Sequence, residues 1–421
     1  MLPPVGVPWQ GRSGPYRGAM SLTLDPARLA RIQTWADGYT QARKFAGLSV
    51  LIRQHGQEVT FVQSGVRDLE SGAAFDRDTV ARIYSMTKPI TSLVLMMLVE
   101  EGRLHLDAPL SRFLPAFADV SALRPGATDI ADTEPCPAPT LHQMLTQRAG
   151  FSYPFNPGLL PQAMEELDLL FKPTAGTLTD QCDLLASLPL AVAPGARWEY
   201  SVGIDVIGRV IEVVTGQPLD QVFRTRVIEP LGMVDTGFAV PDSALDRFAH
   251  LYTPLAGDAM NLNAQSQGTT TLRMFDDAHG SPFRHTTCFS GGGGLVCSID
   301  DYMAFAECLR LRGQGLVSPS TADFMMSNHL PGDIASLGPA SFAEQPMEGM
   351  GFGIGGAEVI DPARSRVPSS VADFSWGGMA STFFWVDRQH DLSVVLFTQL
   401  SPSSSYPARA ELKALVHGAL M

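Results

Sequence analysis

The chain has 421 residues, of which 45% are hydrophobic and 17% charged, and its formal net charge is −13. Such a chain can bury a sizeable core and divides into about two or three structural units. The acidic balance argues against nucleic acid or an anionic membrane as a partner, because both attract clustered lysine and arginine. The five cysteines form no C-x-x-C pair, so we expect a reducing, cytoplasmic environment without structural zinc.

The first twenty residues are rich in proline and glycine. They lack the charged start, apolar centre and cleavage site of a signal peptide, and they contain no apolar run long enough to span a membrane. We expect residues 1–20 to form a flexible extension, with Met20 as the natural start of the folded part.

The next part of the chain is predicted to hold a helix and a hairpin. Asp25 stands before a proline, which is a helix-start signal, and apolar residues continue at helical spacing to about Lys44. Two strand-like runs, at 47–53 and 58–65, are joined by a short polar turn that contains a glycine. This pattern predicts a β-hairpin.

The most informative stretch runs from Ala81 to Gly102. Between Pro89 and Val99 nearly every residue is apolar, which is typical of a helix buried inside a large domain. Ser85 and Lys88 precede this run three residues apart, so their side chains share one helical face. A serine hydroxyl is a poor nucleophile unless a base accepts its proton, and a buried lysine can do so. The pair predicts a catalytic serine, against the alternative of a helix cap followed by a surface lysine.

Between about residues 116 and 285, loops alternate with helical periodicity and strand signals are few. Helices are expected from Thr140 to Gly150, around 161–171 and 178–188, from Ser201 to Val214, and over 217–227, with loops after about Leu231. We place a domain boundary near residue 115 and predict that 116–285 form an inserted, mostly helical domain.

The C-terminal part changes character. Ser298 and Asp301 resemble a capping box at the start of a helix. A final helix is expected from about Ala408. Between the two helices, strand-like runs occur at 351–360, 372–378, 381–387 and 392–399. Strands near both chain ends imply an α+β fold, with one antiparallel sheet in a domain formed by residues 21–115 and 286–421.

Three further patterns are candidates for the site. Tyr200 opens a helix, where a phenol can shuttle protons if cations hold it as phenolate; the alternative is that its ring only packs. The run from Trp376 to Met379 places paired glycines in a strand, which marks either a close approach of a ligand or backbone, or an edge bulge. The aromatic residues Phe151, Tyr153 and Phe155 either line an acyl pocket or pack between domains.

Together, the S-x-x-K heading a buried helix, the Y-S opening a second helix and the late W-G-G resemble the family VIII carboxylesterases. That family shares the fold of class C β-lactamases and penicillin-binding proteins. The resemblance extends from about Leu24 to the end of the chain. It implies that Ser85 is the acylated nucleophile and that Lys88 and Tyr200 share the role of general base.

The resemblance also implies how the substrate is held. The backbone N–H groups of Ser85 and Met379 would form the oxyanion hole. Trp376 would line the substrate cleft. From the residues themselves, we add Gly377, Gly378, Phe151 and Tyr153 as candidate substrate-binding residues. Which of the lysine and the tyrosine holds the proton at each step stays open, because their titrations are coupled.

Two departures from the β-lactamases bear on the substrate. The W-G-G stands where they carry K-T-G, and Val202 stands where they carry an asparagine. Both changes replace polar recognition by apolar surface, which favours a neutral ester over an anionic antibiotic. We therefore predict hydrolysis of short-chain carboxylic esters. A β-lactamase or D-amino-acid peptidase, or a catalytically silent penicillin-binding-like module, are the alternatives.

Other site classes find little support. The chain contains no G-x-S-x-G nucleophile elbow and no H-E-x-x-H metal motif, and Gly291 to Gly294 lack the following Lys-Ser/Thr of a phosphate loop. We expect no cofactor, no metal, and a small-molecule ester as the only partner. The oligomeric state is left open.

Overall fold

The computed structural model describes residues 22–262 and 271–421, so the predicted extension over 1–20 lies outside the described residues. Within these ranges the α-helices are α1 (Pro26–Gln41), α2 (Thr87–Glu100), α3 (Leu141–Leu145), α4 (Leu159–Glu166), α5 (Leu178–Ala186), α6 (Gly203–Thr215), α7 (Leu219–Phe223), α8 (Glu229–Leu231), α9 (Ile299–Arg310), α10 (Pro319–Met326), α11 (Pro362–Ser365) and α12 (Ala408–His417). The strands are β1 (Gly47–Gln54), β2 (Gln57–Gly65), β3 (Val80–Arg82), β4 (Ser121–Leu123), β5 (Thr133–Pro135), β6 (Leu251–Thr253), β7 (Arg273–Asp276), β8 (Val296–Ser298), β9 (Ser341–Phe342), β10 (Gln345–Pro346), β11 (Met350–Phe352), β12 (Ala357–Val359), β13 (Phe374–Gly377), β14 (Phe383–Asp387) and β15 (Leu392–Thr398).

A seven-stranded sheet forms the centre of the fold, in the order β11-β12-β13-β14-β15-β1-β2. All six neighbouring pairs are antiparallel. β1 from the N-terminal part pairs with β15 from the C-terminal part, with Leu51 opposite Val395. The predictions of an α+β fold and of one sheet built from both ends of the chain are confirmed.

Both faces of this sheet are covered. Val50 and Val394 belong to the core that the sheet shares with α1 and α12. Their neighbours Leu51 and Val395 point the other way and belong to the core that contains α2 and α9. Because side chains alternate along a strand, one sheet supports two layers of helices. This explains why the central strands are apolar at nearly every position.

The α2 helix is buried as predicted. Every residue from Thr87 to Leu98 is buried. The Lys88 side chain is itself fully buried, which excludes the surface-lysine alternative. Burial on all sides accounts for the absence of a polar face in the sequence of this helix.

Some local predictions differ from the structure. The run predicted as one strand over 351–360 forms two strands, β11 and β12, because the chain turns at Gly355, which has φ +86°. Ser298 begins α9 without the predicted side-chain capping bond, and the Asp301 carboxylate accepts the Asp235 N–H at 2.6 Å.

The region from 116 to 285 carries helices α3 to α8 together with two short antiparallel ribbons, β4–β5 and β6–β7. Residues of this region and of the sheet share one contiguous core, so the division into two domains stays a prediction. None of the described helices is both long and apolar enough to cross a membrane.

Candidate active site

Ser85 lies in a 3₁₀ turn, Tyr84–Met86, that leads directly into α2. Tyr84 takes φ +42°, a left-handed conformation that is unfavourable for a residue with a side chain. The chain before the turn is held in place, because Ile83 donates its N–H to the Leu295 carbonyl at 3.1 Å. Strained backbone of this kind persists only where the surrounding structure enforces it, and it is concentrated at functional sites.

The Lys88 amine lies next to the serine. Its Nζ is 3.2 Å from Ser85 Oγ. The same nitrogen donates to Tyr153 Oη at 2.9 Å and to the Gly292 carbonyl at 2.7 Å. Three oxygen atoms therefore surround this nitrogen. The buried amine is therefore held in position to exchange a proton with the serine hydroxyl.

A buried carboxylate, Asp205 in α6, supports this arrangement. Its Oδ1 accepts the Gly292 N–H at 3.0 Å and the Ser290 hydroxyl, and its Oδ2 lies 3.4 Å from Tyr153 Oη. Burial raises the pKa of Asp205, and the positive charge of Lys88 opposes that rise. The sequence analysis missed this residue, although an acid within the apolar start of a helix was a usable signal.

Two tyrosines approach the amine in different ways. The Tyr200 ring centroid lies 4.6 Å from Lys88 Nζ, within cation–π distance, and the Tyr200 phenol oxygen accepts the Trp376 indole N–H at 3.4 Å. The phenol that is hydrogen-bonded to the amine is that of Tyr153. Burial and the nearby Asp205 carboxylate raise the pKa of Tyr153 well above its usual value, so this phenol stays protonated.

The paired glycines at the end of β13 allow close contacts. A Cβ atom on Gly378 would lie 2.2 Å from the Ile83 carbonyl oxygen, beside the turn that carries the serine. A Cβ atom on Gly377 would lie 2.6 Å from the guanidinium carbon of Arg409. A side chain at residue 378 would therefore collide with fixed backbone, and one at residue 377 would have to displace the end of the Arg409 side chain. The close-approach interpretation of W-G-G is therefore the one that the structure supports.

A cavity of about 330 Å³ opens in front of these groups. The predicted residues that line it are Ser85, Tyr153, Tyr200, Trp376, Gly377, Gly378 and Met379. Lys88 lies behind this surface. Aromatic residues that the sequence analysis did not assign to substrate binding, among them Phe342 and Phe283, complete the wall.

Phe151, which was predicted to line the substrate cleft, does not lie at this cavity. Its side chain is buried and packs edge-to-face against Phe117, with ring centroids 5.8 Å apart. The aromatic loop directs Phe151 into the core, whereas Tyr153 and Phe155, two and four residues further on, line the cavity. For Phe151, the packing alternative is correct.

Among the described residues, one group of side chains is close enough to hold a metal ion: Asp387, His390 and His417. It lies at the end of β14 away from the cavity. Asp387 already accepts hydrogen bonds from the Ser370 hydroxyl, the His390 ring and the backbone of the β14–β15 turn. Its oxygens are therefore engaged in capping the hairpin. That the reaction needs no metal or cofactor stays a prediction.

Comparison with known proteins agrees with this architecture. Esterase EstB of Burkholderia gladioli is 33% identical over 398 residues, which cover 90% of this chain and 92% of that protein. The solved structure of EstCE1, described as a hydrolase with promiscuous acyltransferase activity, has a TM-score of 0.76 at 30% identity and covers 94% of this chain and 98% of that one. The unliganded simvastatin synthase LovD of Aspergillus terreus shares the fold, with a TM-score of 0.72 at 22% identity over 93% of this chain and 97% of that one. The beta-lactamase family profile matches residues 32–418, and the chain therefore belongs to the beta-lactamase family.

Proposed function

We propose that the protein is a serine carboxylesterase of the family VIII type, which hydrolyses short-chain carboxylic esters through an acyl-enzyme. The observation that carries the proposal is the 3.2 Å contact between the buried amine of Lys88 and the hydroxyl of Ser85 at the wall of an apolar cavity. The similarity to proteins described as esterases supports the same chemistry.

In the first step, Ser85 Oγ attacks the carbonyl carbon of the ester and its proton passes to the pair formed by Lys88 and Tyr200. The carbonyl oxygen becomes an oxyanion. The N–H groups of Ser85 and Met379, two residues at the cavity wall, are proposed to receive it. One such donor is typically worth about 3 kcal/mol of transition-state stabilisation.

The intermediate then collapses. The bond between the acyl carbon and the alcohol oxygen breaks, and the alcohol takes the proton back, for which the Tyr200 phenol at the cavity wall is well placed. Water then attacks the acyl carbon and passes a proton to the pair formed by Lys88 and Tyr200. As the bond between the acyl carbon and Ser85 Oγ breaks, Ser85 Oγ takes that proton back. The products are a carboxylic acid, an alcohol and the free serine.

The wall of the cavity favours an uncharged substrate. Tyr200, Phe342 and Trp376 present aromatic rings to it. The Arg409 guanidinium at this wall already has a counter-charge, because Glu344 Oε1 lies 3.4 Å from its Nε. A neutral ester therefore suits the site better than the carboxylate of a β-lactam antibiotic.

All five cysteines are unpaired, and we propose a cytoplasmic location on that basis.

The test compares Ser85→Ala with Ser92→Ala, a buried serine further along the same helix. We expect Ser85→Ala to lower kcat for p-nitrophenyl butyrate by about 10³-fold or more, and Ser92→Ala to retain activity. A phosphonate inhibitor should add once to the wild type and to Ser92→Ala, as measured by intact mass, and not to Ser85→Ala. Near-wild-type hydrolysis by Ser85→Ala would refute the proposal. A higher kcat/KM for nitrocefin than for the ester would replace it by a β-lactamase.

A further inference from the structure

Arg409 is a buried cation near the start of α12, and it reaches the glycine turn beside the catalytic serine. Its side chain is 8% exposed. Its Nη2 donates to the Gly378 carbonyl at 2.8 Å and to the Thr382 carbonyl at 3.3 Å. Its Nε lies 3.4 Å from Glu344 Oε1, an ion-pair contact without a hydrogen bond, so the hydrogen bonds that hold the guanidinium go to the backbone of the turn.

Gly377 makes this approach possible. A Cβ atom at this position would lie 2.6 Å from the central carbon of the Arg409 guanidinium and 2.7 and 2.9 Å from its two terminal nitrogens. All three distances are far shorter than van der Waals contact. The guanidinium therefore lies directly against the backbone of residue 377, where a side chain would displace it.

The Gly378 carbonyl, which accepts the hydrogen bond from Arg409, is part of the peptide group that carries the Met379 N–H. The Gly378 carbonyl and the Met379 N–H belong to the same peptide bond, which is planar, and in the trans form the two point in opposite directions. A donor that fixes the carbonyl therefore fixes the direction of the N–H. The Ser381 N–H also donates to the Gly378 carbonyl, at 3.1 Å, so the plane is held by two bonds.

The bond from Arg409 also acts on the charge distribution. A hydrogen bond from a guanidinium is charge-assisted and stronger than one between neutral groups. It draws electron density toward the carbonyl oxygen and makes the N–H of the same peptide a better donor. Met379 lines the cavity, and its N–H is the donor proposed for the oxyanion.

We propose that Arg409 is a positioning residue of the oxyanion hole, which orients and polarises the Met379 N–H through the Gly378–Met379 peptide. This inference rests on the proposed function, in which that N–H stabilises the transition state. It makes Arg409 a determinant of kcat rather than of substrate affinity, because the oxyanion forms only as the reaction proceeds.

The test compares Arg409→Met and Arg409→Lys with Lys413→Met. Lys413 is a matched control, because it is another buried cation of α12 and pairs with Asp373 at 3.1 Å. For each variant, Tm is measured together with kcat and KM for p-nitrophenyl butyrate. A butylboronic acid is the second probe, since its boron bonds to Ser85 Oγ and one of its oxygens occupies the oxyanion hole. Butyrate serves as the planar ligand for comparison.

Loss of a whole oxyanion donor costs about 10²–10³ in kcat, so we expect Arg409→Met to lower kcat by about tenfold or more with KM within about twofold. The Ki of the boronic acid should rise by a similar factor, and by more than that of butyrate, because only the boronate mimics the tetrahedral transition state. Arg409→Lys keeps the positive charge but lacks the planar guanidinium. Its kcat and its Ki for the boronic acid should lie between those of the wild type and those of Arg409→Met. Lys413→Met is expected to lower Tm and to leave kcat unchanged.

An Arg409→Met protein with kcat within twofold of the wild type would overturn the inference. A fall in kcat of Arg409→Met without a change in the Ki of the boronic acid would also overturn it. An equal fall in kcat of Lys413→Met would do the same. If Arg409→Met does not fold, Arg409→Lys decides, and wild-type kcat and boronate affinity in that variant would overturn the inference.

Ser85→Ala is measured in parallel. Full activity there means that the proposed function fails, whereas an inactive Ser85→Ala beside a fully active Arg409→Met means that only this inference fails.

Discussion

Lys88 and Asp205 are opposite buried charges that are joined through a single residue, Gly292. The Gly292 carbonyl accepts from Lys88 Nζ at 2.7 Å, and the Gly292 N–H donates to Asp205 Oδ1 at 3.0 Å. The backbone of Gly292 thus aligns the Lys88 amine toward Ser85. The Asp205 carboxylate, on the other side of Gly292, supplies a compensating charge. Removing one partner of a buried charge pair typically costs about 3–5 kcal/mol, so this connection contributes to the stability of the fold.

Gly292→Ala should break this connection. A Cβ atom there would lie 2.1 Å from Asp205 Oδ2, so the carboxylate must move and the carbonyl that holds Lys88 moves with it. We expect the free energy of unfolding to fall by about 2–4 kcal/mol, measured by urea denaturation, and kcat to fall by about tenfold or more.

The neighbouring Gly293→Ala is the control for this prediction. A Cβ atom at Gly293 finds its nearest neighbours at 3.8 Å, an ordinary contact. Its free energy of unfolding should stay within about 0.5 kcal/mol of the wild type. Equal destabilisation by the two substitutions would contradict the role of Gly292.

Phe342→Ala should widen the range of acyl chains that the cavity accepts. The Phe342 ring centroid lies 4.7 Å from that of Tyr200 and is stacked on Trp376 at 6.2 Å. Its removal opens space beside both rings. We expect the ratio of kcat/KM for the octanoate ester to that for the butyrate ester to rise by about tenfold, the order of magnitude that a methylene or two contributes in an apolar pocket. Val234→Ala, at an exposed position, should leave the ratio unchanged. An unchanged ratio in Phe342→Ala would show that another group limits chain length.

Glu358 in β12 should make stability depend on pH. Burial raises its pKa from the ordinary value of 4.5 to about 7, although the Asn328 N–H and Arg388 oppose the rise. Between these values the folded protein retains a proton that the unfolded chain releases. The stability contributed by the protonated group is therefore complete below pH 4.5 and is lost as the pH rises through about 7.

Glu358→Gln keeps a neutral group at this position at every pH. We expect it to be more stable than the wild type above pH 7 by about 2 kcal/mol and to match the wild type below about pH 4.5. Unfolding by urea at several pH values measures the difference, with the exposed Glu348→Gln as the control. A difference that does not change with pH would count against the shifted pKa.

Gly377→Ala should lower kcat through Arg409, because the added Cβ would occupy the place of the guanidinium. In a double-mutant cycle, Gly377→Ala combined with Arg409→Met should cost no more than Arg409→Met alone, since both remove the same contact. Gly38→Ala in α1, where a Cβ meets nothing within 4 Å, controls for the substitution itself. Fully additive losses in kcat would show that the two residues act independently.

The sequence by itself determined the features that depend on local periodicity and burial. The spacing of Ser85 and Lys88 places them on one face of a helix, and the apolar run behind them requires a buried environment. The glycines after Trp376 indicated either a close approach or an edge bulge, and apolar strands near both chain ends implied one sheet. Each of these follows from residues that are neighbours along the chain or from the need to cover apolar surface.

The tertiary structure decided which groups complete the site. Lys88 bonds to Tyr153, 65 residues away, and to Gly292, 204 residues away. Asp205 compensates the amine, and Arg409 comes from the last helix to the glycine turn, whereas Phe151 turns into the core. Local pattern cannot specify such partners, because each depends on how separate elements pack. Only the packed fold brings their polar groups within the 3 Å or so that a hydrogen bond requires.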